Sequence, residues 1–170
     1  MNRFAPALLA ITLALAGCGY HISGQGDLMP KTIHTIAVLP MPSPRYQLAR
    51  ILPSDIGREL ISRTKYKLVG DSSQADAIFS GHVVNVSNFP TVFDPVSGRA
   101  TSVQVVVTVQ FVITERTTGK TLFSQPNMDV RERYQISTNP QQYFDESGTA
   151  LARLSKDVAQ SVISAMLEKF

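Results

Sequence analysis

The chain has 170 residues, 44% of them hydrophobic and 17% charged, with one cysteine, which suits one compact domain with an ordinary core and argues against a disordered or collagen-like chain. Its formal charge of +3, part of it from Arg3 near the start, is too small for the concentrated basic face that nucleic acid requires.

Asn2 and Arg3 give a short positive start, and Phe4 to Ala16 is an apolar stretch broken only by Pro6 and Thr12. That stretch is about 13 residues, whereas a helix needs roughly 20 to span a bilayer. It closes on Leu15-Ala16-Gly17-Cys18, and small residues before a cut are what a signal peptidase requires. This resembles the bacterial lipobox, and the chain's one cysteine falls at the position that the lipobox demands. The resemblance implies a signal peptide over 1–17, acyl chains such as palmitate on Cys18, and a lipidated tether over 18–32. Gly19 stands where the lipoprotein-sorting pattern has aspartate for inner-membrane retention, which implies an outer-membrane address. With Cys18 acylated no thiol is left for a disulfide, so the domain over 33–170 must be held by packing alone, which a chain of about 150 residues can support.

Gly24, Gly26 and Pro30 mark the tether as loop. Ile33 to Leu39 reads as a first strand, stopped by Pro40. A helix is expected between Gln47 and Thr64, with Ile56, Leu60 and Ile61 inward and Asp55, Arg58, Glu59 and Arg63 mostly outward. Pro53 is expected in its first turn, where a missing N–H costs little. Tyr66 to Val69 reads as a short strand and Ala77 to Val86 as a longer one with a bulge near Gly81. Asn88 to Arg99, with Pro90, Asp94-Pro95 and Ser97-Gly98, reads as a turn-rich connection.

The clearest pattern follows. Val103, Val105, Val107, Val109, Phe111 and Ile113 alternate with Gln104, Val106, Thr108, Gln110, Val112 and Thr114, a period-two strand with one wholly apolar face. Thr117 to Lys120 is a hairpin turn around Gly119. The return strand starts at Thr121, is interrupted at Pro126 and resumes at Met128, with Met128, Val130, Tyr134 and Ile136 on one side. A last helix from about Gln141 to Lys169 carries Leu151, Leu154, Val158, Val162 and Met166 at helical spacing.

This order predicts an α+β two-layer sandwich, with two amphipathic helices packed on one face of a four- or five-stranded, mostly antiparallel sheet. The first strand, helix and second strand can form a parallel unit. The uncovered face would show Gln104, Thr108, Gln110, Arg131 and Arg133, too polar for a core and suited to another polar surface.

Catalytic constellations are missing. His21, His34 and His82 have no metal-ligand spacing, Gly24-Gln25-Gly26 precedes a strand instead of following one, and Ser80-Gly81-His82 is no nucleophile elbow. A non-enzymatic protein with no metal is expected. Its candidate contact residues are Arg99, Arg116, Lys120, Arg131 and Arg133, since Arg holds phosphate through paired donors. The alternative is a solvated face balanced by Glu115, Asp129 and Glu132.

Taken together, Cys18-Gly19-Tyr20-His21, the strand Ile33 to Val38, the segment Ala75-Asp76-Ala77-Ile78-Phe79-Ser80-Gly81-His82-Val83 and the turn Thr118-Gly119-Lys120-Thr121 resemble the lipopolysaccharide-assembly lipoprotein LptE family. The family's Asn-Thr-like segment after the first strand is replaced here by Pro40-Met41-Pro42-Ser43-Pro44. The resemblance implies two helices on a sheet, and a subunit that sits inside the outer-membrane β-barrel LptD, supports its assembly and assists lipopolysaccharide passage. A lipoprotein that activates or scaffolds murein synthesis or curli-type secretion is the alternative.

Overall fold

The computed structural model describes residues 29–137 and 146–168. The signal segment, Cys18 and most of the tether lie outside the described residues. The elements in chain order are β1 (Thr35–Val38), α1 (Tyr46–Arg63), β2 (Lys67–Leu68), a 3-10 turn (Ser72–Gln74), β3 (Ala77–Phe93), β4 (Ala100–Glu115), β5 (Thr121–Gln135) and α2 (Ser147–Glu168). They form a five-stranded sheet in the order β2-β1-β3-β4-β5. β1 is parallel to β2 and β3, and β3, β4 and β5 run antiparallel. This is the expected α+β sandwich with a mostly antiparallel sheet.

The alternation in β4 builds the core. Val103, Val105, Val107, Val109, Phe111 and Ile113 are each no more than 5% exposed. Against them lie Leu48, Leu52, Ile56 and Leu60 of α1 and Leu154, Val158, Val162 and Met166 of α2, all buried. Phe111 stacks between Phe79 and Phe123, with ring centroids 5.6 Å away on either side.

Several expectations are corrected. Pro53 lies inside α1, not in its first turn, because the helix starts at Tyr46. Leu48 and Leu52 anchor those earlier turns in the core, and their burial outweighs the hydrogen bond that Pro53 removes. Asp55 is buried, while Ile61 is 52% exposed. The inward stripe of α1 runs Leu48, Leu52, Asp55, Ile56, Leu60, the spacing of one helical face, and that places Asp55 against α2. There its Oδ2 accepts from the Ser155 hydroxyl at 2.5 Å and its Oδ1 from Arg58 at 2.5 Å.

Asn88 to Phe93 is strand, not connection, and β3 runs on opposite Val105 to Ala100. Pro90 is accommodated because β3 has no second neighbour there among the described residues. Against a bulge expected near Gly81, the register shifts lie between Val83 and Asn85, three residues on, and again between Pro90 and Phe93. Gly81 answers a different need: a Cβ there would stand 2.6 Å from the Gln110 carbonyl and 3.0 Å from the Phe111 Cβ, so only glycine admits β4 at this distance. Pro126 does not interrupt β5, and the register shift opposite Val109 and Phe111 absorbs it. α2 is described from Ser147; residues 141–145, where its start was expected, lie outside the described residues, and Glu146 is not helical.

One carboxylate fastens β1 to the rest. Asp76 Oδ2 accepts from the His34 N–H, the Thr35 N–H and the Thr35 hydroxyl, each at 2.9 Å. These bonds, led by the one from His34 N–H, hold its carboxyl below the usual carboxylate range. A depressed folded-state pKa gives stability that is present above the unfolded value and lost as pH falls through the folded one. Asp76→Ala should therefore cost about 2–3 kcal/mol near neutral pH, the scale for hydrogen bonds to a charged group. The gap between parent and variant should close in strong acid; urea melts that show a pH-independent gap would assign the loss to something other than the ionised clamp.

Candidate functional site

Consecutive hairpins turn at opposite ends of a sheet, and this divides the basic residues. Arg99 precedes β4 and Arg116 follows it, with 16 strand residues between, roughly 50 Å at about 3.3 Å per residue. Arg116 and Lys120 share the β4–β5 turn, shaped by Gly119 at φ 69°. Arg99 closes the β3–β4 turn, where Gly98 has φ 66°. Arg99 and the Arg116–Lys120 pair thus stand at opposite ends of the sheet, with Arg131 and Arg133 opposite Val106 and Gln104 between them.

Arg116 is a tie within the fold. Its Nε donates to the Ala75 carbonyl at 2.6 Å and its backbone N–H to the Asp76 carbonyl at 2.9 Å, which joins the β4–β5 turn to the start of β3. The Lys120 side chain is exposed beside it.

Arg131 and Arg133 point from β5 to the side away from the helices. Arg131 stands opposite Val106 and Arg133 opposite Gln104, and Val106 and Gln104 alternate with the buried valines of β4. Arg131 lies 3.9 Å from Asp129, with the two side chains 62% and 48% exposed, so the pair contributes little and leaves the guanidinium available. Asp129 also accepts from the Thr108 hydroxyl at 2.7 Å. The Arg133 carbonyl accepts from Arg153 at 3.4 Å, and Arg153 pairs with Glu132 at 2.6 Å. Beside that pair, partial burial and then the Glu132 charge push the Asp157 carboxyl up.

The open face continues across β3 and β4. Asn85 faces Thr108, Ser87 faces Val106, His82 faces Gln110 and Ser80 faces Val112. At the Arg99 end it changes character: Phe89 is 52%, Val92 49%, Phe93 57% and Val96 93% exposed. Arg133 lies across from Gln104, five positions beyond Arg99 and so about 17 Å along the strand. Arg99 thus shares one end of the sheet with exposed apolar side chains, and Arg133 and Arg131 follow at a distance along the strands, a combination able to hold an extended amphiphile with anionic and acyl parts. The sequence hides this apolar patch because Pro90, Asp94-Pro95 and Ser97-Gly98 make Asn88 to Arg99 read as a turn-rich connection. Phe89, Thr91, Val92 and Phe93 were the β-favouring signal that could have found it.

Among the described residues no group of His, Cys, Asp or Glu could hold a metal ion, and no helix is long and apolar enough to cross a membrane.

The family described as "LptE: Lipopolysaccharide-assembly" matches residues 33–166. No curated protein matches the sequence. Solved structures share the fold at low identity. A lipoprotein from Caulobacter crescentus has TM-score 0.55 and 12% identity over 78% of this chain and 88% of that one. Lipoprotein B from Nitrosomonas europaea has TM-score 0.53 and 17% identity over 81% and 88%. A PelC dodecamer from Paraburkholderia phytofirmans has TM-score 0.52 and 15% identity over 79% and 86%.

Proposed function

The chain belongs to the LptE lipopolysaccharide-assembly family, and from that membership we propose that it is an outer-membrane lipoprotein, moored by acyl chains on Cys18, that occupies an LptD-like β-barrel and assists lipopolysaccharide insertion into the outer leaflet. The observation that carries the reading is the extent of the family match, from the residues before β1 into the last turn of α2.

The physics fits an adaptor. The interior of a large outer-membrane barrel is polar, and the open sheet face offers Ser80, Asn85, Ser87, Gln104, Thr108 and Gln110 as hydrogen-bonding groups to it. Buried acyl carbon contributes about 0.8 kcal/mol per CH₂, and one chain binds only marginally, so two or three on one cysteine keep the domain at the membrane. No bond in lipopolysaccharide is made or broken; the protein supplies position.

In this reading Arg99, Arg131 and Arg133 face lipopolysaccharide phosphates, and Phe89, Phe93 and Val96 the apolar part. Arg116 is occupied by the Ala75 carbonyl and serves the fold. Reversing Arg131→Glu and Arg133→Glu together should weaken lipopolysaccharide retention by the purified protein at least about tenfold, the scale of losing one charge-assisted contact. Undiminished retention with unchanged barrel assembly would make that face merely solvated.

A further inference from the structure

The two edges of the sheet differ. On the β5 side, Arg153 reaches from α2 to the Arg133 carbonyl, and Asp129, Arg131, Glu132 and Arg133 lie along the strand, charges that discourage pairing. On the other side, β1 covers only Ala77 to Phe79 of β3, and the chain after it extends the cover to Val83, whose N–H bonds the Pro42 carbonyl at 2.9 Å. From Val84 to Phe93 no described strand lies beside β3 on the edge away from β4, and that stretch contains no charged residue.

The ladder fixes which backbone groups are left open. Val83 turns its N–H away from β4, and the Thr101 carbonyl of β4 bonds Ile136 on the β5 side. Alternation then directs the β4 valines 103, 105 and 107 towards β5. Their partners Pro90, Asn88 and Val86 turn their backbone groups outward. Among the described residues, two N–H groups and three carbonyls therefore have no strand partner on this edge, and Pro90 sits where an N–H would have no partner on β4.

Under the helix side of this edge lies a cavity of about 190 Å³, lined by Val86 and Asn88 together with Arg45, Tyr134, Ser147 and Leu151. Arg45 makes no ion pair among the described residues. We propose that the β3 edge from Val86 to Pro90 takes up an extended strand of a partner polypeptide, one of whose acidic side chains enters the cavity to meet Arg45. Main-chain bonds of such an added strand supply affinity, and a pocket for its alternate side chains supplies selectivity.

The test places a photo-crosslinking residue at Ser87 of the full lipoprotein in the cells that make it. The expected product is an adduct to another protein, mapped to an extended segment containing Asp or Glu. Asn88→Pro removes an outward N–H without touching the bonds to β4, and Arg45→Glu reverses the cavity's charge; each should cut the adduct about tenfold or more. Asn88→Ala, which keeps the N–H, should leave it. Unchanged thermal melts of Asn88→Pro verify the fold. No adduct, an adduct that survives Asn88→Pro, or one mapped to a helix, to a second copy or to this chain itself overturns the proposal. If the mapped protein is not a barrel, the edge site stands and the barrel reading falls; a co-purifying barrel without this adduct does the reverse.

Discussion

Replacing Phe111 with alanine should cost about 3–5 kcal/mol, the range for emptying a buried aromatic site. Phe111 is 2% exposed and is the middle ring of the Phe79–Phe111–Phe123 stack, so its loss deprives two rings of a partner at once. The hole cannot close by approach of the neighbouring strands, because the backbone ladders on both sides of Phe111 fix their spacing. With a domain's whole stability at about 5–15 kcal/mol, the variant should be partly unfolded at physiological temperature. Urea denaturation measures this directly. Phe111→Leu, which keeps most of the volume, should lose less than half as much. A loss under about 1 kcal/mol for the alanine variant would mean that the stack is not central to the core.

The second large effect concerns the anchor. In the proposed reading Cys18→Ala removes the thiol that acylation requires, and the sequence has no other cysteine to take its place. The acylated mass should vanish, and the amount in the outer-membrane fraction should fall by more than about tenfold, since each buried CH₂ is worth about 0.8 kcal/mol and a long chain has many. Mass spectrometry of the native amino terminus and fractionation read the two outcomes. A parent protein with an unmodified, uncut amino terminus would remove the mooring.

Much of the fold was legible in the sequence because period two and period 3.6 are local signals. β4 could be read residue by residue, as its six inward side chains are all apolar and all buried. What escaped was tertiary. Asp55 reads as a solvent-facing charge from local spacing, and its burial is tolerable because Arg58 pairs with one oxygen and the Ser155 hydroxyl on the other helix, a hundred residues away, donates to the other. Gly81 read as a bulge because a glycine in a strand weakens it locally, whereas its reason is the approach of β4. Asn88 to Phe93 contains Pro90, which argues for a loop until the missing neighbour on that edge is known.

The candidate site was legible by residue type and not by place. Arg131 and Arg133 follow from strand alternation and stand on the open face as expected. The distance between Arg99 and Arg116 depends on which end of the sheet each turn occupies, and that is a property of topology. The role of Arg116 as a tie to Ala75 has no local signature at all.

In the proposed function this family member acts by filling a partner instead of converting a substrate. Affinity purification of the tagged protein from outer membranes decides whether such a partner exists. The expected product is a large β-barrel protein in one-to-one amount, retained with lipopolysaccharide in mild detergent. Recovery of a murein synthase or a secretion pore, with no barrel of that size, would contradict it.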